Sequence, residues 1–88
     1  MQEFEIILTY KGKEHSTSVK TNIQGSYMFY IVHLNNALQI VLGLKRIVYI
    51  DNLAKPTYSS PGNYPAGTTP NAEFDKSVWK GIKSICFV

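Results

Sequence analysis

The sequence predicts a small α+β domain in which a β-hairpin is followed by one main helix packed on a mixed four-stranded sheet. Three observations support this fold class. Alternating apolar residues near the N-terminus indicate strands, an apolar stretch with helical periodicity follows, and a segment rich in proline and glycine precedes the last element. A chain of 88 residues, 44% of them hydrophobic, suffices for one modest core. We therefore expect residues 1–88 to form a single domain.

The first two strands are predicted to form a hairpin. In residues 4–11, apolar side chains occupy every second position, which is the pattern of a strand with one buried face. Gly12 provides a turn between Lys11 and Lys13. Residues 15–20 are rich in β-branched and small polar residues but poor in large apolar ones, which indicates an exposed edge strand.

Residues 27–42 are predicted to form the main helix. Ser26 is a suitable N-cap residue, and Gly43 stands where a C-terminal glycine would end the helix. Residues 44–50 then return to strand character with apolar residues on both faces, which indicates an inner strand. One face of the helix collects most of its apolar side chains: Tyr27, Tyr30, Ile31, Leu34, Ala37, Leu38, Val41 and Leu42.

Residues 51–71 contain all 4 prolines of the chain and are predicted to form a long loop, a kind of segment that often carries function. The last segment is predicted as a short helix through Lys80 that ends at Gly81, followed by a strand over residues 85–88. The alternative is a ββαβ arrangement with a C-terminal amphipathic helix. The alternative is favoured by four apolar side chains that share one helical face: Phe74, Val78, Ile82 and Ile85.

The predicted order of hairpin, helix, strand, short helix and strand resembles the β-grasp, or ubiquitin-like, arrangement over nearly the whole chain. The resemblance implies that the last strand pairs in parallel beside the first. Because it consists of element order without a diagnostic motif, it implies no function.

Charge and cysteine content bound the environment of the protein. Nine Lys and Arg against 6 Asp and Glu give a formal net charge of +3, which permits an anionic partner without requiring one. Cys86 has no second cysteine to pair with, and the N-terminal residues lack the basic segment of a secretion signal, so we expect a cytoplasmic protein. Residues 21–44 carry no formal charge, but His33, Asn35 and Gln39 interrupt them, so we expect no membrane contact.

The sequence offers no convincing catalytic, metal or cofactor site. His15, His33 and Cys86 are far apart, whereas a metal site needs several ligands at workable spacing. Cys86 lies in an apolar segment, which disfavours a reactive thiolate. The neighbouring carboxylates are typical of solvated faces: Glu3 with Glu5, and Glu73 with Asp75. We therefore predict a protein that is not an enzyme and uses no cofactor.

Two surfaces are candidates for protein contact. The loop carries Tyr58 and Tyr64 among prolines and small polar residues, and tyrosine offers a large contact area with few rotatable bonds. Met28, Phe29 and Ile40 lie outside the core face of the predicted main helix, so its apolar surface exceeds what one sheet can cover. Either a loop tyrosine packs over this surface, or a homodimer or another protein partner covers it.

A basic set offers an alternative partner. Phosphates attract lysine and arginine, and aromatic rings stack on bases of single strands. The candidate nucleic-acid contacts are Lys45, Arg46, Lys76, Trp79, Lys80 and Lys83. Lysines opposite an apolar face are equally typical of any soluble amphipathic helix. The sequence thus predicts a small protein-binding or accessory module, of the size common in phages and mobile elements, with a weak nucleic-acid-binding protein as the alternative.

Overall fold

The computed structural model describes residues 2–86. In chain order its elements are β1 (Glu3–Tyr10), β2 (Lys13–Gln24), β3 (Tyr27–His33), α1 (Asn36–Leu42), β4 (Arg46–Asn52) and α2 (Ala72–Cys86). Four strands form one sheet, and two helices accompany it. The α+β class predicted from the sequence is therefore confirmed.

The sheet is antiparallel throughout, with its strands in chain order from β1 to β4. The predicted mixed sheet is wrong, and the β-grasp-like order is not confirmed. β2 pairs with a strand on each side and is not an edge, whereas β4, predicted as an inner strand, lies at the edge. Strands that follow one another in sequence are also neighbours in space, as in most simple antiparallel sheets.

The largest correction concerns residues 27–42, which were predicted to form a single helix. They divide into β3 and the short helix α1. Gly25, with a φ of 59°, begins the two-residue turn between β2 and β3, so Ser26 belongs to a hairpin and caps no helix.

Apolar residues on both faces of β3 explain why periodicity misidentified it. Tyr30 and Val32 are buried on one face, while Phe29 and Ile31 are half-buried on the other. A continuous apolar run fits a helical template and a buried strand equally well. The aromatic and β-branched residues that dominate this segment favour the strand.

α1 is capped at both ends. The Asn35 side-chain oxygen accepts a hydrogen bond from the Leu38 N–H at 2.9 Å, and the Gly43 N–H donates to the Gln39 carbonyl oxygen at 2.9 Å. Gly43 has a φ of 73°, a conformation that glycine adopts without steric cost. The predicted helix end at Gly43 is confirmed, although the helix begins only at Asn36.

α2 continues through Gly81 to Cys86, so the predicted end at Gly81 is wrong. Asn71 caps its start, because its side-chain oxygen accepts the Phe74 N–H at 3.0 Å. A Cβ at position 81 would lie 3.1 Å from Ile6 Cβ, so glycine lets the helix approach β1 closely. The strand predicted over residues 85–88 is wrong for the first two, which are helical, and the last two lie outside the described residues.

The core lies between α2, α1 with the residues that flank it, and one face of the sheet. The rings of Tyr30 and Tyr49 meet Trp79 edge-on, with centroids 5.4 and 5.5 Å apart. Of the four apolar residues predicted to share a face of α2, three are buried, whereas Ile85 is 45% exposed. The buried hydrophobic residues are Ile6, Leu8, Tyr10, Val19, Tyr30, Val32, Leu34, Leu38, Leu44, Ile47, Tyr49, Phe74, Val78, Trp79 and Ile82.

The opposite face of the sheet is open in the part of the chain that the structure describes. Side chains on this face alternate with the buried ones along each strand, and none is fully buried. On β3 and β4 they include Tyr27, Phe29, Ile31, Val48 and Ile50. Neither α1 nor α2, as far as residues 2–86 show them, is long and apolar enough to cross a membrane.

Candidate binding groove

The long loop, predicted over residues 51–71, begins only at residue 53, because Asp51 and Asn52 belong to β4. It lies against β4 and α2. The Asn63 N–H donates to the Val48 carbonyl oxygen at 2.9 Å, so the loop covers part of the free edge of β4. Gly62 fits against the sheet, since a Cβ there would come within 2.8 Å of Ile47 Cγ2. The loop therefore forms an ordered wall beside α2.

Asp51 anchors the beginning of this wall. Its carboxylate accepts the N–H groups of Asn52 at 2.9 Å, Thr57 at 3.1 Å and Tyr58 at 2.9 Å. Burial raises the pKa of the Asp51 carboxyl, but the N–H groups of Tyr58, Thr57 and Asn52 outweigh burial, so the pKa is lowered from its ordinary value. The ionised carboxylate thus holds the loop at neutral pH.

Asp75 anchors the middle of the loop from the first turn of α2. Its Oδ1 accepts the hydroxyl groups of Tyr49 at 2.6 Å and Tyr64 at 2.7 Å, and its Oδ2 accepts the Gly62 N–H at 3.3 Å. Burial and the hydrogen bonds to Asp75 raise the pKa of both tyrosines, so both hydroxyl groups stay protonated as donors. These donors satisfy a carboxylate that would otherwise be costly to bury.

Trp79 lies beneath the loop and is only 4% exposed. Its Nε1–H donates to the Ser60 carbonyl oxygen at 2.6 Å, and the Tyr58 ring meets the indole edge-on at 5.8 Å. Tyr58 has a φ of 52°, a conformation uncommon outside glycine, and its N–H is held by Asp51. The indole is therefore part of the core, with Tyr58 packed against it.

A groove of about 780 Å³ runs between this part of the loop and the exposed side of α2. Ten residues line it. Three come from the loop, namely Tyr58, Ser59 and Pro61, and seven come from α2: Ala72, Glu73, Asp75, Lys76, Trp79, Lys80 and Lys83. Because the lysines follow one another at intervals of four and three residues, they form one exposed row along the helix. The structure thus places Tyr58, a candidate for protein contact, opposite the lysines considered for nucleic acid.

The other residues considered for protein contact lie apart from the groove. Met28 packs against the core, whereas its neighbour Phe29 lies on the open face of the sheet. Ile40 is 83% exposed on α1. The expectation that these three share a helix surface is wrong, because β3 is a strand. Tyr58 and Tyr64 pack against the core instead of covering Phe29.

The two remaining basic residues also belong to other surfaces. Lys45 lines a shallow depression together with Asn36 and Ile40. Arg46 begins β4 and lies opposite His33 on the open face of the sheet. The basic residues predicted as one set are therefore divided among separate surfaces.

Asp51 and Asp75 were not identified from the sequence as organising residues. The sequence did contain one signal for Asp75, since a carboxylate in the first turn of a helix is favoured by the helix dipole. Its donors are Tyr49, Gly62 and Tyr64, which are 26, 13 and 11 residues away in the chain. Contacts over such separations arise only when the chain has folded.

No protein-family model, curated protein or solved structure matches this chain. Three properties distinguish the groove: a loop wall held by hydrogen bonds, a tyrosine held at its side, and a row of exposed lysines.

Proposed function

We propose that this protein is a non-enzymatic binding module that holds an acidic segment of a partner protein in the groove between α2 and loop residues 58–61. The observation that carries the proposal is the position of Tyr58 across one groove from the row of Lys76, Lys80 and Lys83. Lysines attract carboxylates, and a tyrosine ring supplies apolar contact area. Together they fit a peptide that is acidic on one side and apolar on the other.

The spacing of the lysines suits an extended peptide. From Lys76 to Lys83 the helix rises by about 10 Å. An extended chain covers that length with about three residues at roughly 3.3 Å each. Side chains of such a chain alternate between two sides, so acidic residues would face the lysines while apolar residues face Tyr58 and Pro61.

The loop wall is ordered in the free protein. Asp51 holds the backbone of Thr57 and Tyr58, Trp79 holds the carbonyl group of Ser60, and Asp75 holds Gly62. A binding surface that is already fixed loses less conformational entropy when the partner arrives. This order supports a role for the groove in recognition.

A single-stranded nucleic acid is the alternative occupant, because the same lysines are able to neutralise phosphates. Binding of this kind relies on aromatic rings that are open to stacking with successive bases. Trp79 is 4% exposed and its indole N–H is bonded to Ser60, which leaves Tyr58 as the accessible ring among the residues that line the groove. A single accessible ring offers no platform for several successive bases, so the groove is better suited to a peptide than to a single-stranded nucleic acid.

Titration with a synthetic peptide of alternating glutamate and leucine tests the proposal through the fluorescence of Trp79, the single tryptophan of the chain. We expect saturable binding that weakens as salt is added, because salt screens exposed charge pairs. Changing Lys76, Lys80 and Lys83 together to glutamine should weaken binding by about tenfold or more, since each exposed ion pair contributes up to about 1 kcal/mol.

A matched control changes three other exposed lysines to glutamine, namely Lys11, Lys13 and Lys55, and so has the same net charge. This control should bind the peptide as the unaltered protein does. Equal losses in both variants would mean attraction by net charge alone and would overturn the proposal. An oligothymidylate strand is titrated in parallel, and tighter binding of the strand than of the peptide would reassign the groove to nucleic acid.

A further inference from the structure

The free edge of β1 carries backbone groups that point away from the sheet. The Thr21 N–H donates to the Gln2 carbonyl oxygen at 2.8 Å, so these two residues form a hydrogen-bonded pair. Bonded and non-bonded pairs alternate along an antiparallel ladder. The residues whose N–H and C=O groups face outward are therefore Glu3, Glu5, Ile7 and Thr9. The Thr9 carbonyl oxygen points outward as this alternation requires, because it accepts a hydrogen bond from the Ser77 hydroxyl of α2 at 2.6 Å.

The two edges of the sheet differ in how the chain protects them. The loop covers β4 through Asn63, whereas within residues 2–86 no hydrogen bond reaches the outward backbone groups of Glu5 and Ile7. Ile7 is 67% exposed at the middle of β1. A shallow groove of about 270 Å³ runs between this edge and the small residues Ser77 and Ser84 of α2. An open edge of this kind is a template for another strand.

We propose that β1 pairs with β1 of a second copy of this chain, so that two four-stranded sheets join into one continuous sheet. The strands run antiparallel about a two-fold axis perpendicular to the sheet, which makes the contact self-complementary. Since the free groups belong to odd-numbered residues, the ladder forms only when odd-numbered residues lie opposite one another. The Ser77 hydroxyl leaves this ladder intact at Thr9, because a carbonyl oxygen accepts two hydrogen bonds.

Side-chain charge and the overlap of the two strands together favour one register. When Ile7 lies opposite Ile7 of the second copy, Glu5 lies opposite Thr9 and Glu3 lies opposite Lys11. The two Ile7 side chains then meet at the two-fold axis, and an ion pair between Glu3 of one copy and Lys11 of the other lies on each side of it. Centring the contact on Glu5 would place two like charges directly opposite each other, which is destabilising. Centring it on Leu8 would place Glu5 opposite Lys11 but would pair fewer residues of β1. Charge complementarity and strand overlap thus favour a second copy in the register centred on Ile7.

Both members of the expected ion pair are accessible. Lys11 is exposed and lies 5.5 Å from the centre of the Tyr10 ring, with no acidic partner in the described part of the chain. Glu3 lies 3.6 Å from Lys20 in its own protomer, and both of these side chains are about half exposed. A carboxylate in this position is able to contact a second cation across the new edge.

Analytical ultracentrifugation from micromolar to millimolar protein is expected to show a monomer–dimer equilibrium. Ile7→Lys places two cations on the axis and should raise the dimer dissociation constant by about tenfold or more. The matched control, Ile40→Lys, makes the same change at a side chain that is 83% exposed on α1 and should leave the constant unchanged. Circular dichroism verifies that both variants are folded.

A charge exchange tests the register. Glu3→Lys and Lys11→Glu should each weaken the dimer, and the two changes combined should restore it. In the unaltered dimer the amides of Glu5 and Ile7 should exchange with solvent more slowly than in Ile7→Lys. A protein that is monomeric at all concentrations, a dimer that survives Ile7→Lys, or a combined variant that stays monomeric would each overturn the proposal. Lys80 lines the grooves on both sides of α2, whereas Lys76 and Lys83 line the groove beside the loop and are absent from the lining of the β1 groove. Glutamine at Lys76 and Lys83 alone should therefore leave the dimer intact.

Discussion

At the scale of single residues, two buried carboxylates organise the loop. Asp51 and Asp75 are 4% and 8% exposed, and a carboxylate is costly to bury unless hydrogen-bond donors surround it. The donors to Asp51 come from the next few residues of the chain, whereas those to Asp75 come from β4 and the loop. Asp51 therefore stabilises a local turn, and Asp75 connects distant segments.

Acid should weaken the fold through Asp51. The pKa of this carboxyl is lower in the folded protein than its unfolded value of about 3.9, so its contribution to stability is present above that pH and is lost as the pH falls through the folded value. Asp51→Asn should reduce the free energy of unfolding at neutral pH by about 1–3 kcal/mol. As the pH falls below about 4, the free energy of unfolding of the variant should decrease less than that of the unaltered protein, because the variant has no carboxylate to protonate at this position.

Urea denaturation followed by circular dichroism, repeated from neutral to acidic pH, measures this effect. Glu14→Gln, which removes an exposed carboxylate, should retain the pH dependence of the unaltered protein. If Asp51→Asn and the unaltered protein lose stability in parallel as the pH falls, Asp51 is not a source of the acid sensitivity.

At the scale of elements, α2 has to satisfy both its intrinsic helix preference and its packing against the sheet. Its apolar face packs on the sheet, while Lys76, Lys80 and Lys83 remain exposed. Gly81 weakens the intrinsic helix preference, yet the helix continues because its close contact with β1 requires a residue without a side chain. Gly81, which was predicted to end the helix, instead allows the helix to pack closely against β1.

Gly81→Ala should destabilise the protein although alanine favours helices. Alanine would gain about 1 kcal/mol of helix propensity. Its Cβ would lie 3.1 Å from Ile6 Cβ, an atom fixed by the backbone of β1, and overpacking of this kind costs about 1–3 kcal/mol. We expect a net loss of about 1 kcal/mol in urea denaturation. The exposed control Lys83→Ala should stay within about 0.5 kcal/mol, and a gain in stability for Gly81→Ala would contradict the close packing.

At the scale of the whole molecule, the loop joins the edge strand to the helix that covers the core. One anchor, Asp51, belongs to β4, and the other, Asp75, belongs to α2. The same loop supplies one side of the groove beside α2 and protects the β4 edge through Asn63. The order of the groove therefore depends on contacts with two elements at once.

The two anchors should be energetically coupled through the loop. Asp75→Asn alone should lower the free energy of unfolding by about 2 kcal/mol, because it weakens charge-assisted hydrogen bonds. The loss for the double variant Asp51→Asn, Asp75→Asn should be smaller than the sum of the two single losses by about 0.5 kcal/mol or more. A loop that is detached at one anchor no longer makes all of its contacts at the other anchor, so the second change removes less. Denaturant unfolding of the four proteins of this cycle measures the difference.

A second cycle provides the control for this coupling. Glu73→Gln removes an exposed carboxylate from the same turn of α2 and should add to Asp51→Asn without coupling. Additive effects of the Asp51 and Asp75 changes would mean that the loop is held by two independent contacts.

Sequence patterns that depend on near neighbours predicted several parts of the fold. The hairpin around Gly12, the end of α1 at Gly43, the proline-rich loop and the apolar face of α2 all follow from turn residues or periodicity. The lysine row of the groove was likewise visible in the sequence. β3 was missed because a central strand is apolar on both faces and so has no period of two to recognise.

By itself, the sequence determined the α+β class, the loop and the amphipathic character of the last helix, because these depend on residues a few positions apart. Only the tertiary structure decided that the sheet is antiparallel throughout, that Trp79 is buried while Tyr58 faces the lysines, and that Asp75 holds the loop. It also decided which strand edge stays open. These features depend on contacts between residues far apart in the chain, for which no local pattern exists.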